Sequence, residues 1–192
     1  MFNDRSSPLA LLESRRSGRP RDMIAPGPDA GELARMLAIA TRVPDHGKLA
    51  PWRFVVIEDR AAFADLLAEA YRLDRPDAGK LELQANHDFA YQAPMLVVAI
   101  SCASAASKIP LWEQQLSAGA AVYNLELAAT ALGYVAGWVT GWATYSPLVL
   151  ERLGGGPDDR IAGFVFIGTP GAELEERPRP DQSLVVRHWP HG

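Results

Sequence analysis

The sequence has a single cysteine, no excess of basic residues and no long uninterrupted apolar run. One cysteine, Cys102, excludes an intrachain disulfide, and its place after the apolar run Met95–Ile100 favours an unreactive core thiol. The 19 Lys and Arg residues against 23 Asp and Glu residues give a net charge of −4, which argues against general nucleic-acid binding. No apolar stretch reaches the span of a bilayer, and no signal-peptide pattern is visible at the N-terminus. We therefore predict a cytoplasmic protein without a nucleic-acid or membrane partner.

The familiar catalytic templates are also absent. The sequence contains no Gly-x-Ser-x-Gly elbow, no phosphate loop ending in Gly-Lys-Ser/Thr and no Gly-x-Gly-x-x-Gly after a strand. Its four histidines lack the spacing of a helical zinc motif, so no metal is predicted. No acid–base pair or nucleophile stands out, and we predict no catalytic side chain. An enzyme with this sequence needs a cofactor for the difficult chemistry.

Length and hydrophobic patterning predict one α+β domain over residues 1–192, without repeats or a linker. Helix starts are predicted at Ser7-Pro8, at Asp29 with Glu32 as a capping box, at Asp59 and at Ser146-Pro147. The most apolar helix pattern lies within a long helix near 112–132, and it contains Asn124 and Glu126, which is typical of a buried helix in a globular protein. Strands are predicted at Trp52–Glu58, Met95–Cys102, Tyr134–Gly141 and Ile161–Thr169. The Met95–Cys102 run is apolar throughout, which favours a strand covered on both faces.

Two short segments, about a helix apart, concentrate side chains suited to an anion. The first is Arg15-Arg16-Ser17, and the second runs from Arg42 through His46 to Trp52. The planar fork of arginine matches the oxygens of a phosphate, and a neighbouring hydroxyl adds a further donor. Two such segments in an acidic chain predict binding of a small phosphorylated molecule.

Simpler explanations of the same residues remain open from the sequence alone. Arg42 suits the C-terminus of the second helix, where a cation is stabilised, and His46 suits an ordinary loop position. Basic residues of the charged, proline-rich tail either close on a phosphate or belong to a solvated segment, and these are Arg177 and Arg179. The first cluster also fits a solvated basic turn made of Arg15, Arg16, Arg19 and Arg21.

Five segments in order give the chain a resemblance to the nitroreductase family, and most of all to its short, minimal members. The resemblance covers nearly the whole sequence. Its segments are Arg15-Arg16-Ser17, Pro44–Trp52, Pro110–Gly119, Gly133–Gly141 and Gly163–Pro170.

The resemblance implies a three-layer α/β/α sandwich with a mixed sheet of four or five strands. It also implies a domain-swapped homodimer with two shared flavin sites. We expect the helices near 29–40 and 113–132 to pack at the subunit interface and to bury small residues there. The tail from Gly171 ends in the apolar stretch Leu184–Val186, which suggests an arm wrapped over another surface, such as that of a partner subunit.

The resemblance also implies which residues bind flavin mononucleotide (FMN). Arg15, Arg16 and Ser17 match the family segment that holds the flavin phosphate and ribityl chain. Arg42 and His46 match contacts that reach the flavin from the other subunit.

A third set of implied cofactor contacts follows the fourth predicted strand. Trp138, Val139 and Thr140 match the family segment that lies along the flavin. The chain departs from the family pattern at Val139, where close relatives tend to carry arginine, and at Ala50, where many members have glutamine.

The function implied by the resemblance is that of an FMN-dependent oxidoreductase. Such an enzyme would transfer a hydride from NADH or NADPH through the flavin to a nitroaromatic, a quinone or a similar electron-poor acceptor. Relatives of this fold also carry out dehalogenation or fragment the flavin itself. A flavin-binding protein without NAD(P)H turnover is the alternative outside enzymes.

Overall fold

The computed structural model describes residues 2–189, which form a central sheet with helices on both faces. The strands are β1 (Met23–Ile24), β2 (Trp52–Val56), β3 (Met95–Ser101), β4 (Val135–Val139) and β5 (Arg160–Pro170). The α-helices are α1 (Pro8–Ser14), α2 (Ala30–Ala40), α3 (Arg60–Asp74), α4 (Lys80–Phe89), α5 (Leu111–Ala131), α6 (Pro147–Arg152) and α7 (Gln182–Val185). Single 3₁₀ turns lie at Pro20–Asp22, His46–Lys48 and Trp142–Tyr145.

The long strand β5 organises the sheet. It pairs with β3, which in turn pairs with β2, while β4 and β1 pair with successive parts of β5. Every pairing among the described strands is antiparallel, so the expectation of a mixed sheet is corrected. The apolar run of β3 reflects burial on both faces by helices, and such burial does not require parallel neighbours.

Alternation along β3 and β5 divides the core into two clusters, one on each face of the sheet. Leu96, Val98 and Phe164 belong to the first cluster, which packs against α3. Val97 and Val165 belong to the second cluster, which packs against α2 and α5. Successive residues of a strand point to opposite faces, so each strand supplies both clusters. The predicted three-layer sandwich is therefore confirmed.

The predicted helix starts are confirmed by hydrogen bonds to their first turns. Asp29 accepts from the Glu32 backbone N–H at 2.8 Å, and Glu32 accepts from the Asp29 N–H at 3.0 Å, which completes a capping box. Glu32 also accepts from the Tyr134 hydroxyl, so the start of α2 is tied to the segment that enters β4. The other predicted caps, which accept from backbone N–H groups of their helices, are Ser7, Asp59 and Ser146.

The small residues of α5 are buried within this chain. Ala118, Ala121, Ala128 and Ala129 are at most 2% exposed, and the last two of them pack in the cluster that contains α2. These alanines of α5 are therefore not available to a subunit interface, whereas the small residues Gly31, Ala34 and Ala38 of α2 are exposed. The packing of α2 and α5 in a homodimer stays a prediction. A different side of α5 is exposed, and it carries the large side chains Trp112, Leu116 and Tyr123. None of the helices within residues 2–189 combines the length and apolar character needed to cross a membrane.

The aromatic cluster on the α3 side of the sheet predicts a large stability effect. Phe166 is fully buried and meets Phe89 edge to face, with ring centroids 5.1 Å apart. We expect Phe166→Ala to lower the free energy of unfolding by about 3–5 kcal/mol in urea denaturation. Leu81, which is 85% exposed, is the control, and Leu81→Ala should change the same quantity by less than about 0.5 kcal/mol. Equal losses from the two variants would contradict the burial of Phe166.

Candidate functional site

The segment Arg15–Gly18 leaves α1 and lies against strand β4. Arg15 has extended backbone angles, φ −59° and ψ 127°, so the chain stops being helical there. The Gly18 N–H donates to the Ala136 carbonyl at 3.0 Å. A Cβ atom at Gly137 would lie 2.5 Å from the Gly18 carbonyl oxygen, and one at Gly18 would lie 2.6 Å from a Val135 methyl. The close approach of the two segments therefore requires glycine at both positions.

A buried carboxylate connects this segment to β4. Glu126 lies on α5, is 4% exposed, and accepts at one oxygen from the Ser17 hydroxyl at 3.2 Å and from the Trp138 N–H at 3.1 Å. Arg15 donates to the same Ser17 hydroxyl at 3.1 Å and stacks over the Tyr123 ring at 5.4 Å. We call Arg15, Ser17, Glu126 and Trp138 the Glu126 network. It brings together residues of two segments that the sequence predicted to bind one cofactor.

Burial and local partners shift the pKa of Glu126 in opposite directions. Burial raises the pKa of the Glu126 carboxyl, because the charged form loses its hydration. The Arg15 charge and the hydrogen bonds from Ser17 and Trp138 act in the opposite direction and lower this pKa. In the sequence alone, Glu126 indicates only a buried helix of a globular protein. An acid inside the most apolar helix was the signal that could have identified it.

Arg16 has partners different from those of Arg15. Its Nε donates to the Glu175 carbonyl at 2.8 Å and lies 3.8 Å from a Glu176 carboxylate oxygen, while its N–H donates to Asn3 at 2.8 Å. Arg19 pairs with the Glu175 carboxylate at 3.1 Å. The segment after β5 thus closes over Arg16 with carboxylates and a carbonyl. A groove of about 270 Å³ remains beside Arg16, Ser17, Arg19 and Glu175.

The two tail arginines lie in this same region of the chain. Arg179 pairs with the Glu176 carboxylate at 3.2 Å, and the Arg177 N–H donates to that carboxylate at 2.7 Å. Arg16 thus contacts Glu175 and Glu176 of this tail. That Arg177 and Arg179 close on a phosphate stays a prediction.

Arg42 and His46 lie in the loop that follows α2. Arg42 is exposed, its carbonyl accepts from the Asn124 amide at 3.5 Å, and its position just beyond α2 agrees with the simpler explanation of a cation at a helix end. The His46 ring nitrogen Nδ1 lies 2.6 Å from a carboxylate oxygen of Glu113. Asp45 shapes the loop by accepting from the backbone N–H groups of residues 49 and 50 at 3.0 and 2.9 Å.

His46 and Ser17, one from each predicted donor segment, contact α5 at different levels. His46 pairs with Glu113 near the start of α5, whereas Ser17 pairs with Glu126, thirteen residues further along. At a rise of 1.5 Å per residue, these two points on the helix are about 20 Å apart.

The predicted cofactor segment at 138–140 ends β4 with its side chains on alternating faces. Trp138 is 38% exposed, its ring nitrogen donates to the Ala162 carbonyl at 3.0 Å, and the ring lies close to Gly119 of α5. Val139 packs on the other face, against the cluster that contains Phe164. Thr140 is exposed just after the strand. Alternation thus separates the Val139 side chain from the face that carries Trp138.

Ala50, the second departure from the family pattern, lies in the loop that carries His46. Its backbone has φ 46°, in the left-handed region, and its N–H is held by Asp45. The same loop is tied to α5 by Ser117, which donates to the Pro44 carbonyl at 2.6 Å.

Gln114 is a structural residue that the sequence analysis did not assign. It is buried at the start of α5, accepts from the Ser104 N–H at 2.9 Å, and donates to the Ser104 and Ile109 carbonyls at 3.1 and 2.7 Å. It therefore anchors the loop between β3 and α5. Nothing in its spacing distinguishes it from an exposed residue at a helix start.

Cys102 is not part of the Glu126 network. It is partly buried just after β3, and burial raises the pKa of its thiol. A raised pKa leaves little thiolate at neutral pH, which agrees with an unreactive thiol.

The chain belongs to the nitroreductase family, whose model matches residues 12–169. A protein of Haemophilus influenzae (strain ATCC 51907 / DSM 11121 / KW20 / Rd), provisionally named an NAD(P)H nitroreductase, is 37% identical over 171 residues, covering 88% of this chain and 91% of that protein. The Escherichia coli (strain K12) protein YdjA, with the same provisional name, is 35% identical over 164 residues, covering 84% and 87% of the two chains. Both relatives match this chain over most of their own length and most of its length, which supports the family assignment.

Solved structures share the fold. A nitroreductase-like family protein from Bacillus cereus superposes with a TM-score of 0.80 at 23% identity, over 97% of each chain. The FMN- and NADPH-dependent nitroreductase NfnB from Sphigopyxis sp. strain HMH gives 0.70 at 21% identity, over 92% of this chain and 96% of that chain. Iodotyrosine deiodinase bound to FMN and 3-iodo-L-tyrosine gives 0.67 at 19% identity, over 94% and 97%.

The approach of Gly18 to β4 predicts that Gly137 is sensitive to substitution. Because the added Cβ of Gly137→Ala would meet a backbone carbonyl at 2.5 Å, we expect a loss of about 1–3 kcal/mol in the free energy of unfolding. Gly141→Ala is the matched control, since a Cβ there meets nothing within 4 Å. Urea denaturation of both variants measures the difference, and equal stability of the two would contradict the tight approach.

Proposed function

We propose that this chain is an FMN-dependent oxidoreductase that uses NADH or NADPH to reduce a nitroaromatic, a quinone or a similar electron-poor acceptor. The observation that carries the proposal is the Glu126 network, which fixes the Arg15 guanidinium and the Ser17 hydroxyl beside the half-exposed Trp138. Family membership supports the same activity, as do the NAD(P)H named for the curated relatives and the FMN and NADPH named for NfnB.

The chemistry of the donor set fits a phosphorylated flavin. Arg15 offers a planar cation and Ser17 offers a hydroxyl, and both suit phosphate and ribityl oxygens. We assign Arg16 the same role, with one of its nitrogens already bonded to the Glu175 carbonyl. Trp138, Val139 and Thr140 are proposed to lie along the ring through the backbone of β4 and its following loop.

The reaction divides between the cofactor and the chain. Bound FMN supplies the two-electron chemistry that takes a hydride from NAD(P)H and passes reducing equivalents to the acceptor. The chain holds the phosphate through Arg15 and Ser17, and it keeps water from the Glu126 side by burial. Arg15 also places a positive charge where negative charge is bound, which favours the anionic ligand.

We propose that the site is shared between two subunits of a domain-swapped homodimer, with Arg42 and His46 supplied by the partner chain. The separation of about 20 Å along α5 between the contacts of His46 and Ser17 supports this arrangement for His46. The exposed apolar side of α5 offers Trp112, which is 67% exposed, for contact with a second copy. The apolar residues around α7 are exposed as well, and they suit the proposed arm over the partner: Leu184, Val185 and Val186.

Two further expectations stay predictions. Residues 1–192 are proposed to form one domain, and the protein is proposed to act in the cytoplasm. The lone, partly buried cysteine agrees with a reducing compartment.

The reducible flavin is tested by absorbance spectroscopy. We expect the purified protein, reconstituted with FMN, to show flavin bands that bleach when NADPH or NADH is added without oxygen. Bands that persist with both reductants would assign the protein as a flavin-binding module. Irreversible loss of the chromophore under oxygen would instead indicate fragmentation of the flavin.

The identity of the acceptor needs a panel of substrates. A nitroaromatic, a quinone and an iodinated aromatic should be compared at equal concentration with the reduced protein. We expect the nitroaromatic and the quinone to reoxidise the flavin fastest. Faster loss of iodide from the third compound would favour dehalogenation, the chemistry named for the deiodinase neighbour.

The phosphate role of the first segment is tested by substitution. We expect Arg15→Ala to raise the FMN dissociation constant about tenfold or more, since it removes a charged donor, and Ser17→Ala to raise it by a smaller factor, since Ser17 holds Arg15 and Glu126 in place. Quenching of FMN fluorescence measures this constant. Arg21→Ala is the control, because Arg21 is an exposed arginine of the same cluster. A similar change in all three variants would favour the solvated basic turn.

The shared site is tested by mixing two defective proteins. Arg15→Ala and His46→Ala homodimers should each bind FMN weakly, because every site lacks one contact. After subunit exchange, one site of each mixed dimer regains both residues, so about a quarter of all sites should recover. Recovery is read as protein-bound FMN after gel filtration. If both homodimers bind FMN weakly and dimers proven to exchange show no recovery, Arg15 and His46 act within one chain and the site is not shared.

A further inference from the structure

Glu126 lies outside the segments that carry the family resemblance, yet it joins two of them. Its Oε1 atom accepts from Ser17, which follows α1, and from Trp138 of β4. Ser17 and Trp138 are both proposed cofactor residues. The carboxylate is 4% exposed, so its contacts are made away from bulk water. A group in this position controls the geometry of both segments at once.

The hydrogen-bonding capacity of Ser17 is limited by these contacts. A serine hydroxyl has one proton to donate and two lone pairs to accept with. Arg15 donates to it at 3.1 Å, which occupies one lone pair, and its own proton goes to Glu126 at 3.2 Å. While Glu126 is ionised, Ser17 therefore offers a ligand one lone pair and no proton. A phosphate oxygen, which is an acceptor, gains nothing from such a group.

Protonation of Glu126 reverses the direction of this bond. A protonated Oε1 donates to the Ser17 hydroxyl and still accepts from the Trp138 N–H with a remaining lone pair. The Ser17 proton is then free to point toward a ligand oxygen. Toward a ligand, one proton on Glu126 thus changes the Ser17 hydroxyl from an acceptor into a donor, and neither residue has to move.

The same proton changes the charge that a ligand meets. Among the described residues, Arg15 is the charged group that faces Glu126 from the α1 side, and the contact from β4 is the neutral Trp138 N–H. On α5 itself, the Tyr123 phenol stacks under Arg15. Ionised Glu126 offsets the Arg15 charge, whereas neutral Glu126 leaves that charge available to an anion. Burial raises the pKa of Glu126, which brings its titration closer to neutral pH.

We propose that Glu126 is a positioning residue whose proton sets the direction of the Ser17 hydroxyl and the net charge beside it, so that protonation tightens binding of a phosphorylated flavin. This inference rests on the proposed function, since it concerns the same cofactor site. It assigns the site a pH-dependent affinity and a coupling between proton uptake and ligand binding.

Glu126→Gln is the variant that separates charge from position. Glutamine has nearly the same shape as protonated glutamic acid and carries no charge. Its amide oxygen, in the place of Oε1, accepts from both Ser17 and Trp138, because an amide nitrogen cannot accept from the Trp138 N–H. Glu126→Gln therefore removes the charge that offsets Arg15 and leaves the Ser17 proton bound to residue 126. We expect its FMN dissociation constant to be about three- to tenfold below that of the wild type at high pH, because the Arg15 charge is then available to the ligand. As the pH falls and Glu126 becomes protonated, the wild-type constant should fall to that of the variant or below it, because the wild type also frees the Ser17 proton.

Riboflavin and Glu126→Ala provide the controls. Riboflavin lacks the phosphate, so the difference between wild type and Glu126→Gln should shrink with this ligand. Glu126→Ala removes the anchor of both segments and should bind FMN more weakly than either protein. If Glu126→Gln matches the wild type at every pH while Glu126→Ala binds weakly, the role of Glu126 is structural and the proposal fails. If the wild type binds no FMN at any pH, the proposed function fails first.

The ligand-free protein gives a second measurement. A raised pKa means that folded Glu126 holds its proton more tightly than the unfolded chain does. The stability contribution is therefore complete below the unfolded pKa and is lost as pH rises through the folded pKa. Urea denaturation should show Glu126→Gln gaining stability relative to the wild type over this interval. A difference that does not vary with pH would overturn the coupling.

Discussion

The burial of one carboxylate is the constraint on which the rest of the site depends. An acid inside an apolar helix is costly unless polar partners replace its hydration, and removing one partner from such a group is strongly destabilising. Glu126 obtains its partners from Ser17 and from the Trp138 backbone. These contacts fix three elements relative to one another: the exit of α1, the middle of α5 and the end of β4.

The sides of helix α5 make different contacts. Its alanines pack against α2 and the sheet, which allows the close approach that the second core cluster requires. Ser117 and Gln114 hold the loops before β2 and after β3. Glu126 and Tyr123 serve the first donor segment, while Trp112 and Leu116 remain exposed. Because polar contacts are made on several sides of α5, its buried residues include the polar Gln114, Ser117 and Glu126 as well as alanines.

The sequence predicted those features that depend on local chemistry. Helix starts were found because Asp29, Asp59 and Ser146 cap their own first turns, and β3 was found because its apolar run is buried on both faces. The direction of strand pairing was wrong, since a side-chain pattern records burial and not the orientation of a neighbouring strand. For the same reason, contacts between segments far apart in the sequence could not be predicted. No local pattern shows that Glu126 meets Ser17, or that Arg16 meets the carbonyl of Glu175.

The contact between Arg16 and Glu175 has a consequence for the order in which the molecule is made. The two residues are 159 positions apart, and the Ser17–Glu126 contact spans 109 positions. A ribosome exposes the N-terminal donor segment early, but its carboxylate and carbonyl partners emerge only much later. Closing such long loops is entropically costly until the intervening core has formed. The first-made part of the candidate site is thus completed by the last-made part, and its contacts with Glu175 form only when synthesis is nearly finished.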